Sequence, residues 1–456
     1  SRTDTGNSTA SGDVLGFAYD VDNGTLKYYL NGSLVGTDTS IGTSVTTTPF
    51  FCTTNGPGSV WRAPVFNFGQ DSSFAGNKTA QGNTDGNGYG DFYYAPPSGY
   101  LALCTANLPD PVESIDPAQD GSPQDHFNTV LWTGNGTSQS ITGVGFQPDF
   151  VWIKSRSVAY EHQAYDAVRG ATKKLLPSNT IAETTDANAL TSLDSDGFSL
   201  GSNVGINRNN DTYVAWNWKA NGSGVSNTDG SITSTVSANT DAGFSIATYT
   251  GNGIAGATIG HGLGVSPAMV ITKSRSNATN WMVWHKNLAT NYAFEGLNTT
   301  GAAVSGGSPS KYVRAVSSTT VMLGNDISVN QSSSYTYVMY AFADVDGFSK
   351  FGSYTGNGSS DGTFIYTGFA PSWVLFKRSS SAGEWFIYDS TRDTVQPIDS
   401  WLWAHSSNAE TTSSSYKVDF LSNGFKMRYS TTINSSGSTY IYMAFAENPF
   451  KYANAR

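Results

Sequence analysis

A chain of 456 residues is about three times the length of a typical domain, so several cores are expected, and 38% hydrophobic residues suffice to fill them. Charged residues make up only 13%, about half the usual share, and the polarity comes from Ser, Thr, Asn and Gly, as in extracellular or virion β-proteins. The net charge of −10 without a Lys/Arg stripe excludes a nucleic-acid partner, and no apolar run approaches the ~20 residues of a membrane span.

In chain order, residues 1–107 begin with Gly12–Gly32, where Asn23-Gly24 and Asn31-Gly32 supply the positive φ angles of tight hairpin turns. Val65–Gln70 and the glycine-rich Asp85–Asp91 follow. Residues 108–125 contain Leu108-Pro-Asp-Pro-Val-Glu-Ser-Ile-Asp-Pro117, with three prolines and no periodicity, and read as an extended linker. Beyond it, short alternating runs such as Asp149-Phe-Val-Trp-Ile-Lys154 are bounded by Gly, Asn and Ser, the pattern of a sandwich or barrel. Residues 223–242, inside the Ser/Thr/Asn/Gly-rich stretch Asn221–Thr240, read as a connector or an exposed hairpin. Cys52 and Cys104 cannot staple a chain of this length and read as two buried thiols. The chain opens at Ser1 with no targeting segment in view, so a fragment or a processed product is expected.

An internal repeat organises the rest. Thr-Gly-Asn-Gly occurs at Thr133–Gly136, Thr250–Gly253 and Thr355–Gly358. A proline follows each (Pro148, Pro267, Pro371), and six residues later a lysine (Lys154, Lys273, Lys377). Each unit closes on a Tyr with an aromatic five positions on: Tyr213/Trp218, Tyr337/Phe342 and Tyr440/Phe445. Units one and three also share Ala182-Glu-Thr-Thr185 and Ala409-Glu-Thr-Thr412, which unit two lacks. Three repeats follow, 126–222, 243–345 and 346–456, each long enough to be a sandwich in its own right. The repeated residues read as scaffold.

Gly12–Gly32, with Gly12-Asp-Val-Leu-Gly16 and Asp20-Val-Asp-Asn-Gly24, together with Val65-Phe-Asn-Phe-Gly-Gln70 and Phe74, resembles the second half of a SPRY domain. The resemblance covers about seventy residues and lacks the earlier strands, so upstream residues or another chain are expected to complete the module. Pro96–Pro109 resembles a segment that follows SPRY modules in phage and large-virus proteins. The triple repeat is similar to a family found in marine-phage virion proteins, with the signature Tyr-Thr-Gly-Asn-Gly…Gly-Phe-x-Pro-x-x-Val-x-x-Lys. It is carried here by Tyr249–Gly253 with Lys273 and Arg275, and by Tyr354–Gly358 with Lys377 and Arg378. Gly145-Phe146-x-Pro148 and Gly368-Phe369-x-Pro371 keep its middle, whereas unit two has Gly264-Val265-Ser266-Pro267 and unit one has Trp132 for the leading Tyr. These resemblances imply a virion setting and no chemistry.

Asp166-x-x-Arg169 and Asp389-x-x-Arg392 recur in units one and three and read as structural ion pairs rather than as the acid of a glycoside hydrolase. His126, His162, His261, His285 and His405 show no metal-ligand spacing, and Asp85–Asp91 reads as a hairpin tip rather than a calcium loop. Aromatic faces that stack on sugar rings are the better candidates: Tyr160 with His162, Trp281 with Trp284, and Trp401 with Trp403 and His405. Alternation places Trp401 and Trp403 on one face of a strand. The same side chains also suit a core or subunit contact.

The expectation is an all-β chain of tandem, jelly-roll-like β-sandwiches in an elongated row, non-enzymatic, without cofactor or metal. It would act as a phage tail fibre or appendage on the virion surface, attaching to host-cell glycans by multivalent display. Self-association, with a trimer as the expected order, and other virion proteins complete its partners. A capsid decoration or assembly protein without a ligand and an envelope-polysaccharide depolymerase are the alternatives.

Overall fold

The computed structural model describes residues 10–39, 41, 65–307 and 310–454. The chain is all-β, with antiparallel pairing in every sheet, and divides into two compact units, Ser1–Pro109 and Asp110–Arg456.

In the first unit Leu15–Asp20, Thr25–Leu30 and Ser33–Asp38 form a three-stranded meander. Its second turn is the two-residue Asn31-Gly32, with both residues at positive φ, as the dipeptide predicts. Residues 65–107 are looped and held by side-chain caps. Asn67 Oδ1, for example, accepts from the backbone N–H groups of Gly69, Gln70 and Asp71. Cys104 is an exposed free thiol, not a buried one, because it lies at the start of a short surface turn. Cys52 lies outside the described residues.

In the second unit each repeat builds the same two sheets. The larger one places the strand before the Thr-Gly-Asn-Gly turn beside the repeat's last strand, then the lysine strand, then a fourth. In repeat one these are Phe127–Thr133, Thr212–Trp218, Phe150–Ser155 and Gln163–Asp166. Repeat two uses Phe244–Thr250, Thr336–Phe342, Met269–Ser274 and Met282–His285. Repeat three uses Ser349–Thr355, Thr439–Pro449, Phe369–Arg378 and Trp385–Asp389. A three-stranded sheet covers one face of each, and between the two layers lies the repeat's own core.

The other face of each large sheet is also covered. A further core draws on all three repeats, with Trp152 and Trp216 from the first, Trp281 and Tyr340 from the second, Trp373 and Trp385 from the third. The three closing aromatics meet in it: ring centroids of Trp218, Phe342 and Phe445 lie 5.7 to 6.4 Å apart in every pairing. The elongated row of sandwiches is therefore corrected to three sandwiches packed on one shared core. Burying an aromatic of this size is worth roughly 1.5–3 kcal/mol, and a row of separate domains would leave these exposed. Asp149–Lys154 is consequently not half-exposed: Phe150–Ser155 is buried on both faces.

The first joint differs from the sequence reading, and at the second the hairpin is the alternative that forms. Residues 108–125 are not a free linker. They form short 3-10 turns, bury Ile115 in the shared core, and tie to the end of repeat three through Gln124 Nε2 on the Glu447 carbonyl, at 2.9 Å, and the Lys451–Asp110 ion pair. Within Asn221–Thr240, Val225–Asn227 and Ser234–Asn239 form a hairpin that extends the large sheet of repeat two.

Candidate functional site

The ionisable residues of the repeat converge on the three seams where one repeat meets the next. Lys154, Lys273 and Lys377 end the central strands and are fully buried. Each Nζ donates to backbone carbonyls, one of them in a loop of the preceding repeat. Lys154 reaches Ser155 and Ser407 (2.8 and 3.1 Å), and Lys273 reaches Ser274 and Thr180 (2.9 and 3.2 Å). Lys377 reaches Gly383 and Thr300. The relation is cyclic: repeat one reaches three, two reaches one, three reaches two. Burial pushes all three ammonium groups down to about 7.

Eight residues after each lysine stands a ring that crosses the same seam. Trp281 Nε1 donates to the Leu176 carbonyl at 2.8 Å, and Trp385 Nε1 to that of Gly296 at 3.2 Å. His162 takes this position in repeat one. Its Nδ1 accepts from Trp152 Nε1, so Nε2 carries the proton and meets the Trp403 carbonyl at 3.0 Å.

Twelve residues after the lysine a polar side chain faces the following repeat. Asp166 Oδ2 accepts from Arg169 Nε and from Tyr340 Oη of repeat two (2.7 Å), and its Oδ1 from the Arg169 N–H. Asp389 does the same with Arg392 and with Trp216 Nε1 of repeat one (3.0 Å). Burial works against the Arg169 and Arg392 charges, but the adjacent carboxylates outweigh it and hold both guanidinium groups above their usual range. Glu183 then joins Arg169 to Arg275 of repeat two, and Glu410 joins Arg392 to Arg156 of repeat one. Desolvation raises both glutamates, yet their arginine partners bring them below the usual carboxylate range.

The seam between repeats two and three is built without these charges. Its aspartate is His285, its bracket arginine Leu288, its glutamate Ala303 and its receiving arginine Ser379. The backbone bond that marks the position is kept: Glu183 to Arg275, Glu410 to Arg156, and Ala303 to Ser379, N–H to carbonyl. His285 Nδ1 accepts from the Asn287 N–H and Nε2 meets the Tyr442 carbonyl. Burial holds this imidazole down at about 4. The constant spacing from the lysine was the signal in the sequence for the ring, aspartate and arginine positions, while the glutamate position shifts by up to four residues between repeats. The lysines and Asp-x-x-Arg pairs stood out there as scaffold, but nothing in them named the partner across the seam.

The side chains expected to stack on sugars are placed differently. Trp281 and His162 are buried in the seams described above, and Trp401 is buried in the core of repeat three, its ring edge-on to Tyr416 at 5.3 Å. Trp403 does share a face with Trp401, but that face points into the same core, where Trp403 is half-buried. Trp284 packs half-buried against the core of repeat two. His405 is half-buried beside Glu384, with its pKa pushed down to about 4 by burial and then by Lys377. Tyr160 is half-buried. The structure brings His162 to the backbone of Trp403 and does not gather these residues into one exposed platform. Asp85 is buried and pulled upward by desolvation. It is nevertheless held at about 2 by the N–H groups of Ala102, Asn87 and Tyr89 and by the Asn107 amide, so both its oxygens are occupied by donors. Among the described residues no three His, Cys, Asp or Glu side chains cluster as a metal site.

Compared with known proteins, residues 122–449 match a family described as a domain of unknown function, DUF7483. The match spans all three repeats as one domain. No curated protein and no solved structure matches the chain.

Proposed function

For a chain that belongs to the DUF7483 family of domains of unknown function, we propose a non-enzymatic structural role in a bacteriophage virion, as a tail fibre or similar appendage. One observation carries this reading: the lysines and Asp-x-x-Arg pairs of the repeat are engaged in holding that repeat to its neighbours. Such a unit resists deformation, which suits a part that transmits load or spaces other components. The similarity of the repeat to marine-phage virion proteins supports the setting. Capsid decoration without a ligand is the second reading, favoured by the burial of Trp281, Trp401 and His162, which removes three of the side chains offered for glycan stacking. A depolymerase would need a free carboxylic acid, and Asp166 and Asp389 are each committed to an arginine.

Antibodies against the chain test the reading by electron microscopy of purified particles. Label on the exterior of the particle is expected, at the tail for an appendage and over the head for decoration. Label confined to the soluble lysate would overturn the structural role. Release of oligosaccharide from host envelope by the purified chain would overturn its non-enzymatic character.

A further inference from the structure

The three repeats share one sheet edge but not one neighbour. In each, the strand before the Thr-Gly-Asn-Gly turn pairs on one side with the repeat's last strand. In repeat two its other side is occupied by the hairpin strand Ser234–Asn239, with Ser237 opposite Ile246 and Thr235 opposite Thr248. The corresponding strands Phe127–Thr133 and Ser349–Thr355 are sheet edges among the described residues. The hairpin also covers the small sheet of its repeat, where Ile232 bridges Ile259 and donates its N–H to the Thr258 carbonyl.

Repeat three lacks the hairpin, and its own connector occupies only the start of the edge, where Val345 and Ser349 exchange backbone bonds and Asp344 takes the Phe351 N–H. Ile365 is buried as Ile259 is, and the residues flanking it, Phe364 and Tyr366, stand where Thr258 and Gly260 stand in repeat two. These two aromatics are 43% and 58% exposed. Repeat one has Ser140 and Thr142 at the same two places, so the aromatic pair belongs to repeat three alone. Beside the pair runs the edge itself. The Phe351 N–H donates to Asp344 Oδ1 at 2.8 Å, so it points away from the last strand. By the two-residue period the N–H and carbonyl of exposed Ser353 point the same way. Phe351 and Ser353 correspond to Ile246 and Thr248, the residues that the hairpin pairs with in repeat two.

We propose that the open part of this edge, centred on Ser353, with Phe364 and Tyr366, is a docking site for an extended, uncharged strand of a partner protein. The hairpin in repeat two is the template for its chemistry: Ser and Thr alternate with Val and Ala along the paired strand, and an isoleucine lies on the small sheet. Main-chain pairing at the Phe351 carbonyl and at Ser353 gives the strand its register, and the two aromatic faces take an apolar side chain. Asp344, which caps the edge, is neutralised by its ion pair with Lys286, in keeping with an uncharged partner. The proposal does not depend on where the chain resides.

The test uses the full chain and a fluorescent synthetic peptide of residues 221–240 as the probe, read by anisotropy and by amide hydrogen exchange. Saturable binding with protection of the Ser353 amide is expected. Binding should weaken roughly tenfold with Ser353→Pro, which an edge position with a solvent-facing N–H tolerates, and likewise with the pair Phe364→Ser, Tyr366→Ser, which leaves the backbone alone. Absence of saturable binding, or binding that neither variant alters, would overturn the proposal. Self-association of the chain that Ser353→Pro abolishes would put a second copy in the site and overturn the assignment to a partner protein.

Discussion

Lys154, Lys273 and Lys377 place three amines where water does not reach and where the nearest partners are neutral carbonyls. Their pKa values near 7 make stability depend on pH. An unfolded lysine keeps its proton to about 10.4. From pH 7 to about 10 the unfolded chain therefore binds protons that the folded chain does not, and stability rises with pH. Below about 7 both states are protonated and the cost of the buried charges is fully present. Each lysine contributes up to about 1.4 kcal/mol per pH unit inside the window. Above it the buried tyrosines Tyr249, Tyr340 and Tyr354, raised by burial, act in the opposite sense, since their unfolded counterparts ionise near 10. Urea midpoints at pH 7.0 and 9.5 should show the rise in the native chain and little of it in a Lys154→Met, Lys273→Met, Lys377→Met variant. An equal rise in both would exonerate the lysines. The Asp–Arg brackets make a second prediction at this scale. Asp389→Ala leaves Arg392 buried beside Glu410 alone, and should lower stability by about 3–5 kcal/mol, seen as a reduced unfolding midpoint.

Each Thr-Gly-Asn-Gly turn is held by an asparagine from far along its repeat, Asn207, Asn330 or Asn434, all fully buried. The amide of Asn330 donates to Asn252 Oδ1 and to the Ile254 carbonyl, both at 3.0 Å, while its Oδ1 accepts from the Asn252 N–H at 2.7 Å. Asn207 and Asn434 repeat the pattern at Asn135 and Asn357. Asn330→Ala should cost about 1–3 kcal/mol, because the turn keeps its buried polar groups and loses their partner. Denaturant titration measures it, and a change within about 0.5 kcal/mol, the range of an ordinary surface substitution, would deny the asparagine this role. The turn itself was legible, since Asn-Gly demands positive φ and Gly136, Gly253 and Gly358 adopt it. The staple was not, because a buried Asn and a surface Asn are identical in a chain this rich in the residue.

Three sandwiches on one core should unfold together. Calorimetry is expected to show one transition for Asp110–Arg456, where separate domains would give several. Trp218→Ala, at the meeting point of the closing aromatics, should lower that transition as a whole by about 3–5 kcal/mol rather than split off repeat one. Survival of repeats two and three at their native midpoint would show that the shared core does not couple them. The seam between repeats three and one lacks a direct chain connection, and it carries the Arg156–Glu410 pair together with the strap of residues 110–125. The seam between repeats two and three, joined by a short connector after Phe342, carries no such pair.

The all-β class, the turns, the number of repeats and the reading of Asp-x-x-Arg as structural were legible in the residues alone. These depend on local backbone preference and on spacing, which a single chain displays. The sequence also marked the lysines and closing aromatics as landmarks. What they are landmarks of came from the packing of the repeats on one another. Alternation along a strand says that side chains such as Trp401 and Trp403 share a face, but not whether water, a sugar or another sheet lies against it. Trp401 turned inward to fill the core of its own sandwich, and Trp281 because three sheets that each bury one face in that way still had a second apolar face to cover. The neighbouring repeats, held at high local concentration by the same chain, supplied the cover.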